Sequence, residues 1–275
     1  MRVAFQGERG AYSEAAAIEH RGAIDSFPCR TLAEVFDAVE RRNADLGMVP
    51  VENSQAGSIN DTYDLLVRRG LYIVGEHNLR IEHCLLALPG ETIETIHTVS
   101  SHPQALAQCD AFLARRAWEV VPAYDTAGSA KAVATERRAG VAAIASRHAA
   151  GIYGLQILAE GIETSPVNYT KFLALALTPA PPTDRAKTSV VFMTANVPGA
   201  LYRALGAFAS RHINLTKLES RPRRDRPWEY LFYVDFEAHQ DSPEGRAALT
   251  DLAGVTAFLR VLGSYPRAEA RAGPE

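Results

Sequence analysis

Through residues 1–178, short apolar runs alternate with stretches whose apolar residues recur at helical spacing. The runs at 2–6, 45–51, 71–75, 82–88, 96–100, 118–122, 141–145 and 172–177 predict strands. Most are apolar on both faces, as in Val141-Ala142-Ala143-Ile144-Ala145, the pattern of strands covered by helices above and below. Between them the spacing predicts helices near 11–20, 31–42, 60–69, 103–116, 126–138 and 146–153. Thr31-Leu32-Ala33-Glu34 has the form of a capping box, and Pro103 suits a first helical turn. Such βα alternation predicts an open α/β fold with parallel strands. Sheets of this kind bind ligands at the carboxyl ends of their strands, which directs attention to the loops after 45–51, 96–100 and 118–122.

The pattern changes after residue 178. Pro179, Pro181 and Pro182 fall within eight residues and predict a stiff, extended linker over 179–187. Beyond it, 188–195 reads as a strand. Pro198-Gly199 opens a helix with Leu201, Leu205 and Phe208 on one face. A strand over 213–220, a basic turn over 221–227 and a strand over 228–237 follow. In that last strand Trp228, Tyr230, Phe232, Val234 and Phe236 alternate onto one side. A helix near 243–258 and a strand near 260–265 complete βαββαβ, the split βαβ, ferredoxin-like order, before a polar tail over 267–275. A four-stranded sheet of this type leaves edges that commonly pair with another subunit.

Composition fits this two-part organisation. The 275 residues are 47% hydrophobic and 22% charged, enough apolar material for packed cores. Net charge is −3, which argues against a nucleic-acid or anionic-membrane partner. Arg221, Arg223, Arg224 and Arg226 then read as a solvated hairpin loop. Of the 29 basic residues 25 are Arg, and the lysines are Lys131, Lys171, Lys187 and Lys217. Cys29, Cys84 and Cys109 are too scattered for a disulfide framework or a zinc site, and read as buried thiols. No signal-peptide pattern or membrane-length apolar run occurs, so the expected location is the cytoplasm.

Three polar segments lie on the predicted loops: 49–58 with Asn53, 100–104 with Ser101 and His102, and 168–172 with Thr170. Each also has a structural reading. Asn53, Ser58 and the 101–104 segment suit helix caps, and Thr170 can simply enter a buried strand. Dinucleotide, Walker, nucleophile-elbow and HExxH motifs are missing, so no cofactor or metal is expected.

Taken together, Phe5-Gln6-Gly7-x-x-Gly10-Ala11-Tyr12-Ser13-Glu14, Val49-Pro50-Val51-Glu52-Asn53-Ser54, Ser101-His102-Pro103-Gln104, Tyr153-Gly154-Leu155-Gln156 and Asn168-x-Thr170-x-Phe172 resemble prephenate dehydratase. The following βαββαβ unit resembles an ACT domain, with Gly199-Ala200-Leu201 and Glu219-Ser220-Arg221-Pro222 at its effector motifs. The resemblance covers residues 1–266 in order and begins at the first strand, with no fused chorismate mutase domain expected ahead of it.

It implies a catalytic domain over 1–178 of two α/β lobes, as in type 2 periplasmic binding proteins. One lobe would hold about 1–77 with 160–178, the other about 78–159, and an ACT domain would span 188–266. It implies cofactor-independent conversion of prephenate to phenylpyruvate, water and carbon dioxide toward L-phenylalanine. By the same carry-over Thr170 is the catalytic position. Asn53, Ser101, Gln108, Lys171 and Phe172 line the substrate site, with Thr126 and Ser129 as carboxylate ligands. The ACT resemblance implies an L-phenylalanine site formed by Gly199, Ala200, Leu201, Asn214, Leu215, Glu219, Ser220, Arg221 and Pro222, in a homodimer or homotetramer. Two positions depart from the family pattern. Lys171 stands where Arg is usual, and Tyr202 stands where the effector motif continues with an aliphatic residue. Arogenate dehydratase, and a non-catalytic two-lobed binding protein responsive to amino acids, are the rival readings.

Overall fold

A computed structural model describes residues 1–223 and 228–268. Arg224 and Arg226 of the basic turn, and the tail beyond 268, lie outside the described residues. The chain divides into two compact units, one of residues 1–62 with 77–172 and one of residues 63–76 with 173–268.

From its start the chain forms β1 (Arg2–Gln6), α1 (Tyr12–Arg21), β2 (Asp25–Cys29), α2 (Leu32–Glu40), β3 (Leu46–Asn53), β4 (Gly57–Ser58), α3 (Asn60–Arg68) and β5 (Tyr72–Arg80). It then builds β6 (Cys84–Ala87), β7 (Thr98–Ser101), α4 (Pro103–Gln108), α5 (Asp110–Leu113), β8 (Glu119–Pro122), α6 (Thr126–Glu136), β9 (Val141–Ala145), α7 (Arg147–Tyr153) and β10 (Gln156–Glu160), and returns as β11 (Tyr169–Ala176). One sheet has the order β2-β1-β3-β11-β5, with β4 hairpinned onto β3. A second has the order β10-β6-β9-β7-β8.

The fold class is α/β, but the strands are not all parallel as expected. β1 runs parallel to β2 and β3, and β7 parallel to β8 and β9. β6 is antiparallel to both β9 and β10. The second sheet keeps an apolar layer on each side. Leu85, Val99, Ala142 and Ile144 pack one way; Cys84, Leu86, Ala143 and Ala145 pack the other. That two-sided burial is why β9 reads as an unbroken apolar run.

Local chemistry sets the ends of several helices. Thr31 accepts from the Glu34 N–H at 3.2 Å, and Glu34 accepts from the Arg30 N–H at 2.8 Å, one residue earlier than the usual reciprocal cap. Asp125 and Ser146 cap α6 and α7. At Gly10, φ is +89° and a Cβ would lie 2.7 Å from the Ala149 Cα, so only glycine fits.

The single helix predicted over 103–116 is instead two short ones that meet at Cys109. The Gln108 carbonyl is taken by the Thr164 N–H at 2.7 Å, and the Cys109 N–H reaches both Ala105 and Leu106. A carbonyl spent on a neighbouring loop is lost to the helical ladder, so α4 stops.

The second unit continues with β12 (Ala186–Met193), α8 (Ala200–Ala209), β13 (Leu215–Pro222), β14 (Tyr230–Phe236), α9 (Pro243–Val255) and β15 (Phe258–Pro266). Its sheet has the order β13-β14-β12-β15, antiparallel throughout. Val190, Phe192, Ala204, Phe208, Val234, Phe236 and Leu252 form its core. Phe232 packs against that cluster, but Tyr230 is exposed and Trp228 precedes the strand with 80% of its surface open. The apolar face expected over 228–237 therefore covers only its second half. Within this unit Lys187 and Glu76 form a buried ion pair at 2.7 Å.

Candidate functional site

A cavity of about 310 Å³ lies in the first unit. The three strand ends singled out by the strand-end rule contribute to its wall: Pro50 and Asn53 from the last residues of β3, His102, Gln104, Ala105 and Gln108 after β7, and Tyr124, Asp125 and Thr126 after β8. Gln6, Gly7, Ala11, Tyr12 and Ser13 enter from the end of β1 and the start of α1, and Thr170 and Phe172 from β11.

Asn53 organises one side. Its Oδ1 accepts from the main-chain N–H groups of Gln55 (3.1 Å) and Ala56 (3.0 Å). Its Nδ2 faces Asn168 Oδ1 at 2.9 Å, the Tyr169 carbonyl at 3.2 Å and Thr170 Oγ1 at 3.0 Å. The Thr170 hydroxyl accepts from Asn53, so its own proton is left to point into the cavity. Gln108 Oε1 meets Asn168 Nδ2 at 3.1 Å and His83 Nε2 at 2.9 Å, while its Nε2 approaches Asn53 Oδ1 at 3.5 Å. His83 Nδ1 lies 2.8 Å from the Tyr12 hydroxyl. Burial lowers the His83 pKa, and burial lifts that of Tyr12 well above its ordinary value, so both are neutral near pH 7.

No lysine or arginine is found among the described residues of the wall. α1 starts at Ala11 without a side-chain cap, leaving the main-chain N–H groups of its first turn unclaimed by any side chain. A carboxylate suits such a helix start. At α6 the comparable group, the Gly128 N–H, is already taken by Asp125. Burial raises the Asp125 pKa, partly offset by main-chain N–H groups that hydrogen-bond its carboxylate.

Of the residues expected from the sequence, the cavity brings together Asn53, Gln108, Thr126, Thr170 and Phe172. It does not bring in Ser101, Ser129 or Lys171. Ser101 is fully buried and donates to the Ile144 carbonyl at 2.6 Å; Ser129 donates to the Asp125 carbonyl at 2.9 Å. Lys171 lies between Thr170 and Phe172 on a strand, so alternation turns it to the opposite face. Sequence reasoning missed Tyr12 and His83 as wall residues. The usable signal was His83 itself, a polar residue at the head of the apolar run 84–88.

In the second unit, Gly199, Ala200, Leu201 and Tyr202 line a separate cavity of about 650 Å³ with Asn196, Glu229 and Phe232. Gly199, with φ +77°, is the N-cap of α8. Glu219, Ser220 and Arg221 lie away from it on β13, paired with Tyr233, Phe232 and Leu231 of β14. Glu219 meets Lys217 at 3.1 Å, and Arg221 meets Asp64 at 3.7 Å. Asn214 precedes β13, its carbonyl accepting from the Glu237 N–H at 3.0 Å, and Leu215 packs on the core. Pro222 lines a third cavity, of about 450 Å³, with Arg223 and Tyr233. The two halves of the expected effector motif therefore do not meet within one chain.

The prephenate dehydratase family model matches residues 3–180, and the ACT domain model matches residues 188–254. An Arabidopsis thaliana protein named arogenate dehydratase/prephenate dehydratase 2, chloroplastic, is 48% identical over 97% of this chain and 73% of its own length. Arogenate dehydratase 1 of Petunia hybrida is 47% identical over 97% of this chain and 67% of its own. Among solved structures, prephenate dehydratase from Arthrobacter aurescens in complex with L-Phe superposes with a TM-score of 0.88. It is 33% identical over 97% of this chain and 90% of that one. A structure described as a quorum-quenching acylase, GqqA, superposes with a TM-score of 0.91 at 38% identity, covering 98% of this chain and all of that one.

Proposed function

The chain belongs to the prephenate dehydratase family, and from that premise we propose that its cavity converts prephenate to phenylpyruvate, water and carbon dioxide. The observation that carries the reading is the Thr170 hydroxyl, fixed as an acceptor toward Asn53 with its proton left for the cavity. Prephenate holds a ring hydroxyl para to a ring carboxylate. When the carbon–carboxylate bond breaks, its electron pair enters the ring and expels hydroxide from the opposite carbon. The hydroxide leaves as water after taking one proton, and the ring becomes aromatic. A hydrogen bond from Thr170 stabilises the charge growing on the departing oxygen, and no cofactor is called on. Asn53 and Gln108 hold that donor, the start of α1 receives a carboxylate, and Phe172 with Ile59 and Ile81 supplies apolar wall for the ring.

Regulation by L-phenylalanine falls to the ACT domain. We place the effector between two copies of the chain, the Gly199 cavity of one meeting the edge strand β13 of the other. The separation of the two motif halves supports this, as does the position of β13 at the edge of its sheet. Sedimentation with and without L-phenylalanine tests it; a monomer that binds the amino acid would refute it.

Arogenate, the transaminated form of the substrate, is the second reading. The 47% identity to arogenate dehydratase 1 of Petunia hybrida favours it, and Asp125 gives the wall an acidic group for an ammonium. Turnover of the two substrates side by side separates them. Preference for arogenate that Asp125→Asn reverses would overturn prephenate as the main substrate. Likeness to an acylase structure adds amide hydrolysis to the assay panel. The Ser101 and Ser129 hydroxyls are spent on carbonyls, and burial pushes the Cys84 and Cys109 thiols up to about 11 and 12. These groups therefore make poor nucleophiles.

A further inference from the structure

The orientation of every polar side chain behind Thr170 follows from two main-chain N–H groups. Gln55 and Ala56 can only donate, so the Asn53 atom they reach is the oxygen. Asn53 Nδ2 must then point to Asn168 Oδ1 and Thr170 Oγ1. With its oxygen toward Asn53, Asn168 presents Nδ2 to Gln108, which fixes the Gln108 atom at that contact as Oε1. Oε1 is also 2.9 Å from His83 Nε2, so that nitrogen carries a hydrogen. A neutral imidazole with hydrogen on Nε2 has a bare Nδ1, so the Tyr12 hydroxyl, 2.8 Å from that nitrogen and 2.9 Å from the Glu82 carbonyl, turns its single proton to the nitrogen.

We infer that His83, held by Tyr12 as the neutral Nε2–H tautomer, is a positioning residue for the Thr170 donor, acting through Gln108 and Asn53. His83 lies within the wall but directs both hydrogen-bonding atoms into the protein. The donors run one way, from Tyr12 to His83, Gln108, Asn53 and Thr170, and the final proton faces the substrate. Gln108 can serve this chain because α4 ends on it, its carbonyl held by Thr164. Reversing the His83 tautomer would set Nε2 and Gln108 Oε1 face to face as two acceptors. Gln108 would then turn over and disturb Asn168 and Asn53 in sequence.

The inference rests on the dehydratase reading for its kinetic arm and on geometry alone for its spectroscopic one. In the full-length chain, His83→Leu is expected to lower kcat about 10- to 100-fold, the scale of one or two lost hydrogen bonds, with KM within about threefold. His83→Gln, which keeps an N–H near the Nε2 position, is expected to recover at least tenfold of that. On a Thr170→Val background His83→Leu should cost almost nothing further, because its effect passes through the missing hydroxyl. Nitrogen-15 NMR of the histidines should show His83 neutral and protonated at Nε2 at pH 7. Additive losses in the double variant, an unchanged kcat in His83→Leu, a His83→Gln no better than His83→Leu, or an Nδ1–H signal would each overturn it. If His83→Leu fails to fold, His83→Gln and the NMR spectrum still decide. A wild-type chain that turns over neither prephenate nor arogenate would defeat the substrate assignment, and the NMR result would stand apart from it.

Discussion

Replacing Thr170 by Val removes a hydroxyl while nearly keeping shape, and the structure separates its two consequences. In the folded protein the hydroxyl serves only as one of three acceptors within reach of Asn53 Nδ2, which has two hydrogens. Without it, Asn168 Oδ1 at 2.9 Å and the Tyr169 carbonyl at 3.2 Å still engage both. No buried donor is orphaned, so the stability loss should stay near 1 kcal/mol, the net worth of one hydrogen bond. That is roughly 2–4 °C in melting temperature for a chain of this size. In catalysis the same atom is the donor to the departing oxygen, and losing one such donor costs about 10²–10³ in kcat. Thr170→Ser keeps the donor and gives up a methyl group, so it should fall less than about tenfold, with KM changing less than kcat. Phenylpyruvate release followed by absorbance, beside thermal melts of the same preparations, reads both quantities. A Thr170→Val enzyme keeping more than a tenth of wild-type kcat, or a Thr170→Ser enzyme no better than it, would refute the donor role.

Three further outcomes follow from the same structure. Lys171→Arg should leave kcat/KM within about threefold of wild type, since the side chain leaves β11 on the face away from Thr170; a tenfold change would put it in the site. Glu14 is buried, which alone would raise its pKa, but hydrogen bonds from the Gly10 N–H, Ser26 and Arg9 bring it below the ordinary range. A lowered native pKa contributes stability above the unfolded value of about 4.3 and loses it as pH falls through the native one. The melting gap between wild type and Glu14→Gln should therefore be widest near neutrality and narrow below about pH 4; a constant gap would refute the linkage. Lys187→Met strands the Glu76 carboxylate in the interior and should cost about 3–5 kcal/mol in urea unfolding, with most of it recovered in Lys187→Met/Glu76→Gln. A single variant within 1 kcal/mol of wild type would show the pair to be solvated.

Elements whose pattern answers to a buried sheet were legible in the sequence. Val141–Ala145 is β9 residue for residue, because both of its faces meet apolar side chains. β2 was not predicted: Asp25-Ser26-Phe27-Pro28-Cys29 has no alternation, and Pro28 is tolerated because the strand sits at the sheet edge. The break at Cys109 was equally hidden, since its cause is a hydrogen bond from Thr164, far along the chain. In the site, Thr170 and Phe172 could be read from their segment, and period-2 alternation already implied that Lys171 faces elsewhere. Ser101 looks the same in sequence whether its hydroxyl meets a ligand or the Ile144 carbonyl. His83 gains its meaning from Tyr12 and Gln108, 71 and 25 residues away, and no local pattern carries that information.

A wall whose described residues include no lysine or arginine has a consequence for the timing of the catalytic cycle. The field of a helix start fades within about a turn, so it holds a carboxylate that has already arrived and does little to draw one from solution. The described wall then adds no attraction of its own to ordinary diffusion and orientation. Departure is eased for the same reason. The reaction turns a dianion into a monoanion and an uncharged gas, and a cavity with no fixed cation among its described wall residues has no strong grip on what remains.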